Sequence, residues 1–182
     1  MPDFWYGLTG NPLPTVMIMT TQTVLMQGIT KKTIADMPAT GDPTALDRYV
    51  LDSRESGGAI AIVEHSLAPR VLAAPVHRHS REDEYSLVLE GRLGVFQDDE
   101  VVVAEPGELV LKPRGRWHTF WNAGDQPLRI CELIVPGGLE ELFRSLGDSY
   151  DPETLPAMAR QYGCDVDFER TMPLVEQHGL IF

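Results

Sequence analysis

The stretch from residue 77 to residue 91 reads HRHSREDEYSLVLEG. Its two histidines, His77 and His79, are two residues apart, and residues i and i+2 of a β-strand point to the same face. Glu84 follows a short charged loop and precedes an apolar run that is typical of a strand. A chain reversal in that loop would bring the carboxylate beside the two imidazoles.

A second stretch, from residue 107 to residue 122, reads GELVLKPRGRWHTFWN and places His118 in the middle of a predicted strand. A barrel can bring that strand opposite the first. Three neutral imidazoles and one carboxylate suit Fe, Ni, Mn, Cu or Zn, and an octahedral ion would keep two positions open for water, substrate or O₂. The pattern therefore predicts one divalent transition-metal ion of unspecified identity. His65 and His178 have no such companions, and we interpret them as structural.

Short apolar runs separated by turn-forming residues continue on both sides of these stretches. They predict strands over residues 59–65, 85–90, 93–97, 101–104, 108–112, 116–121 and 128–135. Many short strands at close spacing are typical of a β-sandwich or barrel. After Gly137 and Gly138 the pattern becomes helical, with predicted helices over 139–146, from the Asp151-Pro152 pair to about residue 162, and over 168–178.

The two stretches resemble the two sequence motifs of the cupin superfamily. The first motif is His-x-His, four residues, Glu, six residues and Gly, which places Glu84 rather than Glu82 at the ligand position. The second is Gly, five residues, Pro-x-Gly-x-x-His, three residues and Asn, and every fixed position is matched. One departure is Val71, which stands where the family has a glycine; it weakens the turn prediction there but affects no ligand.

This resemblance covers roughly residues 59–136 and implies a mainly β fold, a double-stranded antiparallel β-helix (a jelly-roll barrel) of six to eight strands. It also implies that the metal ligands are His77, His79, Glu84 and His118. We expect an N-terminal extension over residues 1–30, the barrel over 31–136 and a C-terminal helical appendage over 137–182.

The segment from residue 136 to residue 147, PGGLEELFRSLG, is similar to the tail of quercetinase-type dioxygenases. That similarity implies a metal-dependent dioxygenase acting on a small enol, phenol or polyketide-like substrate. Glu84 would be a fourth ligand or the general base. Two alternatives stay open: a non-catalytic module that binds a small ligand or metal, and a metal-dependent isomerase or cyclase.

Composition limits the partners. The net charge of −12 opposes binding to phosphate backbones, so we expect no nucleic-acid partner. No apolar run approaches the roughly 20 residues that span a membrane, and the two cysteines form no disulfide framework, so we expect a cytoplasmic protein.

Trp117 and Trp121 alternate with His118 and should face outward. Burying them needs the C-terminal helices or a second subunit, and we expect a homodimer.

Overall fold

The computed structural model of the protein describes residues 30–146 and 151–182, so most of the expected N-terminal extension lies outside the described residues. Within these ranges a short 3₁₀ helix, Ile34–Asp36, precedes eleven strands and three helices. The strands are β1 Thr40–Asp42, β2 Ala45–Leu51, β3 Ala61–Leu67, β4 Val76–His79, β5 Asp83–Glu90, β6 Leu93–Gln97, β7 Glu100–Ala104, β8 Leu109–Lys112, β9 His118–Asn122, β10 Leu128–Val135 and β11 Cys164–Asp167; the helices are α1 Glu140–Leu146, α2 Leu155–Gln161 and α3 Phe168–His178.

The strands form two antiparallel sheets that pack face to face. One sheet has the order β1-β2-β3-β10-β5-β8 and the other has the order β11-β4-β9-β6-β7. Strands β3 to β10 supply four strands to each sheet, and this arrangement is the double-stranded β-helix that the sequence predicts. Strand β10 shows why the layers form, since its residues alternate between buried and half-buried along its whole length. The buried side chains of both sheets meet in an apolar core, which includes Val88, Leu93, Val95, Leu128 and Ile130.

Strands outside the barrel proper widen both sheets. Strand β2 pairs with β3 in a segment whose polar, turn-rich composition predicted no strand. Strand β11 pairs with β4 inside a region expected to be purely helical. The predicted C-terminal helices are present, but the appendage also contributes this edge strand. Its pairing partner is the strand that carries His77 and His79.

The C-terminal helices cover two apolar faces of the barrel. Leu174 of α3 and Leu180 pack with Trp121, so the chain's own C-terminal segment buries this outward tryptophan. Helix α3 ends at His178 and is followed by Gly179, whose φ of +58° is the left-handed conformation usual after a helix. Helix α2 begins at Leu155 rather than at Pro152. Asp151 instead lies in a preceding turn, where its side chain accepts a hydrogen bond from the Glu153 amide, so the predicted start of this helix is a few residues too early.

No helix in the described part of the chain has the length and apolar character needed to cross a membrane.

A close contact between β6 and β9 leaves no room for a side chain at Gly94. Gly94 pairs with Trp121, and a Cβ built on Gly94 would lie 2.3 Å from Cε2 of that indole. We expect Gly94→Ala to lower the free energy of unfolding by about 1–3 kcal/mol, because a fully buried ring would have to move. Urea denaturation measures this change. Gly124→Ala is the control, since its nearest neighbour lies at 3.4 Å; equal stability of the two variants would contradict the expectation.

Candidate metal centre

Two neighbouring strands bring the three histidines together. His77 and His79 lie on β4, and His77 is the direct cross-strand partner of His118, the first residue of β9. The ring centroids are 4.5 Å apart for His77 and His118, and 4.9 Å apart for each of the other two pairs. The three imidazoles therefore form a compact triangle, as the spacing of the sequence predicts.

Glu84 reaches this triangle from the opposite sheet. After β4 the chain crosses to β5, where Glu84 is the second residue. Its Oε2 atom lies 3.3 Å from Nε2 of His118 and 4.0 Å from Nδ1 of His79. The four residues can each offer one ligand atom, and these atoms all lie within 4.8 Å of one another. The cluster thus joins the two sheets at one end of the barrel.

Backbone carbonyls determine which ring nitrogens can bind a cation. Nδ1 of His77 lies 2.7 Å from the carbonyl oxygen of Pro75, and Nδ1 of His118 lies 3.0 Å from that of Arg116. A carbonyl oxygen only accepts, so each Nδ1 must donate a proton and each Nε2 keeps a free lone pair. Carbonyl groups that orient metal-binding imidazoles in this way are common around metal ions in proteins.

Burial keeps the three rings neutral. Loss of water contact lowers the pKa of His77 to about 3 and the pKa values of His79 and His118 to about 4. Burial alone would raise the pKa of Glu84, but the ammonium of Lys112 and the neighbouring rings lower it well below its ordinary value. Neutral imidazoles and an ionised carboxylate are the protonation states that metal ligation requires.

Two buried atoms of the cluster lack hydrogen-bond partners. They are Nδ1 of His79 and Nε2 of His118. Leaving such atoms unsatisfied costs free energy, and a cation among the four side chains would satisfy both. The residues therefore fit a divalent metal ion, and their nitrogen and carboxylate donors suit transition metals without selecting one.

A buried lysine that the sequence pattern did not predict lies next to Glu84. Nζ of Lys112 lies 3.0 Å from Oε2 of Glu84 and 3.0 Å from Oε2 of Glu132, and none of the three side chains is more than 4% exposed. Ser86 donates a further hydrogen bond of 2.8 Å to Glu132. Burial lowers the pKa of Lys112, but the two carboxylates more than reverse this and raise it. Lys112 is therefore charged, and it holds Glu84 as an anion.

The signal for this lysine lies in strand alternation. In β8, Leu109 and Leu111 are 57% and 47% exposed, whereas Lys112 is fully buried. Hydrophobicity alone would place the leucines inside, so the register had to be known before the lysine could be assigned to the interior. Glu132 likewise occupies an inward position of β10, between the buried residues Ile130 and Ile134. Strand alternation over the predicted strand 116–121 would place Arg116 inward with His118, but this prediction is wrong: Arg116 is exposed, because β9 begins only at His118.

An apolar cavity of about 560 Å³ opens beside the cluster, and His77, His79 and Glu84 form part of its wall. Phe120, from the strand of His118, also lines it. The C-terminal segment contributes further apolar wall residues, which include Leu139, Leu142, Phe143, Leu155, Ala159 and Val166. Its volume and mostly apolar walls are typical of a small-molecule site.

Comparison with known proteins agrees with this description. Residues 63–136 match the family model described as a cupin domain. Residues 63–136 of the barrel therefore form a cupin domain. The chain is 27% identical over 121 residues to quercetin 2,3-dioxygenase of Bacillus subtilis strain 168. That match covers 66% of this chain but 35% of the relative, so the chain spans about a third of the enzyme it resembles.

Solved structures share the fold. A predicted oxalate decarboxylase from Thermotoga maritima superposes with a TM-score of 0.55 at 15% identity, covering 59% of this chain and 99% of the other. The polyketide cyclase RemF from Streptomyces resistomycificus superposes with a TM-score of 0.51 at 24% identity, covering 59% and 80%. At these identities the superpositions establish the architecture, and the named activities belong to those proteins.

Acidification should destabilise the metal-free protein through His77. Its folded-state pKa of about 3 lies below the value of about 6.5 for an unfolded chain, so the unfolded state binds the proton first as the pH falls. The contribution of the neutral His77 ring to the free energy of unfolding is complete above pH ~6.5. It is lost progressively below that pH, by roughly 2 kcal/mol at pH ~5. We expect urea denaturation with a chelator present to show a steeper pH dependence for wild type than for His77→Gln. Parallel curves would contradict this assignment.

Removal of the buried ammonium should also be costly. Lys112→Met keeps an unbranched side chain but leaves Glu84 and Glu132 facing each other without a counter-ion. We expect the free energy of unfolding of the metal-free protein to fall by about 3 kcal/mol or more. The control is Lys32→Met, which removes a partly exposed pair with Glu55 and should cost at most about 1 kcal/mol. A Lys112→Met variant as stable as the control would exclude a charged Lys112.

Proposed function

We propose that this protein is a metal-dependent oxygenase of the cupin superfamily, with His77, His79, Glu84 and His118 as ligands of one divalent transition-metal ion. The observation that carries the proposal is the position of this cluster at the wall of an apolar cavity. Ligands at a closed structural site would face no such space. The similarity to quercetin 2,3-dioxygenase over 121 residues supports oxygenation among the reactions open to the fold.

The cavity favours a small, largely apolar molecule. About 560 Å³ accommodates a fused-ring compound, and Phe120 and Phe143 offer aromatic faces against which such rings pack. A bound metal ion would supply Lewis acidity and a template for the reacting oxygen atoms. These features fit an enol, a phenol or a polyketide-like substrate.

The chain's own residues define what the cluster contributes. The carbonyl groups of Pro75 and Arg116 hold the His77 and His118 rings in the tautomer with a free Nε2. Lys112 keeps Glu84 ionised, so this carboxylate can bind a cation or accept a proton. Its lowered pKa makes it a weak base. It therefore suits the acidic hydroxyl of an enol or phenol better than a C–H bond.

Metal content and oxygen uptake test the proposal together. Chelated full-length protein is loaded separately with Fe, Mn, Ni, Cu or Zn, and bound metal is counted by elemental analysis. Oxygen consumption is then followed with a panel of flavonols, enols and phenols, and product mass is recorded. We expect about one ion per chain, oxygen uptake with at least one metal, and two oxygen atoms added to the product.

Ligand variants give the matched comparison. His79→Ala and His118→Ala should each weaken metal binding at least about tenfold and abolish oxygen uptake, because each removes a direct ligand. His178→Gln, in α3 outside the cluster, should retain both properties. Conversion without a change in mass would identify an isomerase or cyclase instead. Binding of the panel compounds by metal-loaded protein without conversion would identify a non-catalytic module.

A further inference from the structure

A second polar group lies in the same cavity and takes no part in the cluster. His65 on β3 and Asp47 on β2 are direct cross-strand partners, and both line the cavity. Nδ1 of His65 lies 2.7 Å from Oδ1 of Asp47. His65 was predicted to be structural because no neighbouring residue in the sequence suggested a partner. The pairing of β2 with β3, which the sequence did not predict, supplies one.

We propose that the His65–Asp47 pair is a second ligand-binding site of the cavity, where His65 donates a hydrogen bond to a carbonyl, enolate or phenolate oxygen of the bound molecule. Asp47 occupies Nδ1, so Nε2 is the nitrogen left for the ligand. The arrangement is that of an imidazole oriented by a carboxylate, which also stabilises the protonated ring.

The surroundings of His65 favour a positively charged ring. Burial lowers the pKa of His65, but the charge and hydrogen bond of Asp47 more than reverse this, and its pKa is raised. Glu132 of β10 raises the pKa further and Lys112 of β8 lowers it. The pKa of His65 is thus shifted in the opposite direction to the pKa values of the three cluster histidines, which burial lowers. One cavity thus contains neutral imidazoles at the cluster and a proton-retaining imidazole at Asp47.

The rest of the wall shows how a ligand could reach both groups. The ring of Phe120 lies 5.7 Å from the His65 ring and 4.5 Å from Nζ of Lys112, which contacts Glu84. Phe143 packs on His65 at 5.7 Å. Burial raises the pKa of Cys164, another wall residue, to about 12, so its thiol stays uncharged. The histidine and carboxylate side chains lining the cavity therefore form two groups, and the Phe120 ring packs near His65 of one group and near the Lys112 ammonium that pairs with Glu84 of the other.

This distribution defines the ligand class. A molecule that contacts both groups needs an oxygen function at each end and an aromatic or otherwise apolar body between them. The inference deepens the proposed function: its claim about the substrate rests on that function, but the binding site itself does not. A test in metal-free protein separates the two.

The first arm uses 4-nitrophenol, whose ionised form absorbs visible light, with chelated full-length protein. We expect wild type to bind it with a larger ionised fraction than in free solution at the same pH, because a protonated His65 stabilises the phenolate. His65→Gln keeps a neutral donor but loses the charge; it should raise Kd at least about tenfold and return the ionised fraction to its solution value. Unchanged Kd and absorbance in this variant would overturn the proposal.

Asp47→Asn provides a second variant of nearly the same shape. Like His65→Gln, it should raise the Kd for 4-nitrophenol and lower the ionised fraction of the bound phenol. Near-ultraviolet circular dichroism checks that each variant keeps its fold. His178→Gln, outside the cavity, should behave as wild type. A His65→Gln variant that unfolds leaves Asp47→Asn to decide, since Asp47 side-chain exposure is 25% and this substitution preserves volume.

The second arm uses metal-loaded protein and whichever panel compound is converted. His65→Gln should raise KM or lower kcat at least about tenfold without changing the metal content. No conversion by wild type would reject the proposed oxygenase while the first arm still decides the role of His65. Equal kinetics of wild type and His65→Gln would show that the site does not contact the reacting molecule.

Discussion

The buried ion pair between Lys112 and Glu84 is the interaction on which the centre depends. Each side chain alone would be costly inside the barrel, because an unpaired charge loses its hydration. Paired across β5 and β8, with Glu132 on the second side of the ammonium, they hold a carboxylate in ionised form against three imidazoles. A neutral Glu84 would be a poor ligand and could not accept a proton. Lys112 therefore favours the ionised form of Glu84, the residue at the ligand position of the first sequence motif.

The candidate metal centre needs both sheets of the barrel. The histidines share one sheet through β4 and β9, while Glu84 belongs to the other. Because two packed sheets lie about 10 Å apart, side chains that face each other across the gap meet midway. The short link between β4 and β5 crosses that gap within a few residues of His79. The positions of all four groups are consequently determined by backbone pairing, and the apolar core around them excludes water and keeps the rings neutral.

The sequence predicted much of this centre because its spacing reflects strand geometry directly. The i, i+2 relation of His77 and His79 required only that β4 be a strand, and the motif resemblance supplied Glu84 and His118. Lys112, Glu132 and His65 were not predicted, because each depends on register or on a distant strand partner. In β8 two leucines face solvent while a lysine faces the core, which reverses the usual rule of hydrophobic pattern. Strand β11 was missed because its pairing with β4 spans more than eighty residues.

The elements added to the barrel, β2 and the segment after β10, shape the cavity beside the cluster. One barrel architecture hosts many unrelated reactions, so the fold and the candidate ligands cannot by themselves choose a reaction. Here β2 contributes Asp47 to the cavity wall, and the segment after β10 contributes the apolar wall residues Leu142, Phe143 and Leu155. These elements determine the depth and polarity of the cavity without altering the ligands. In the proposed oxygenase, the added strands and helices would therefore govern which molecule fits the cavity, whereas the candidate metal ligands come from the barrel itself.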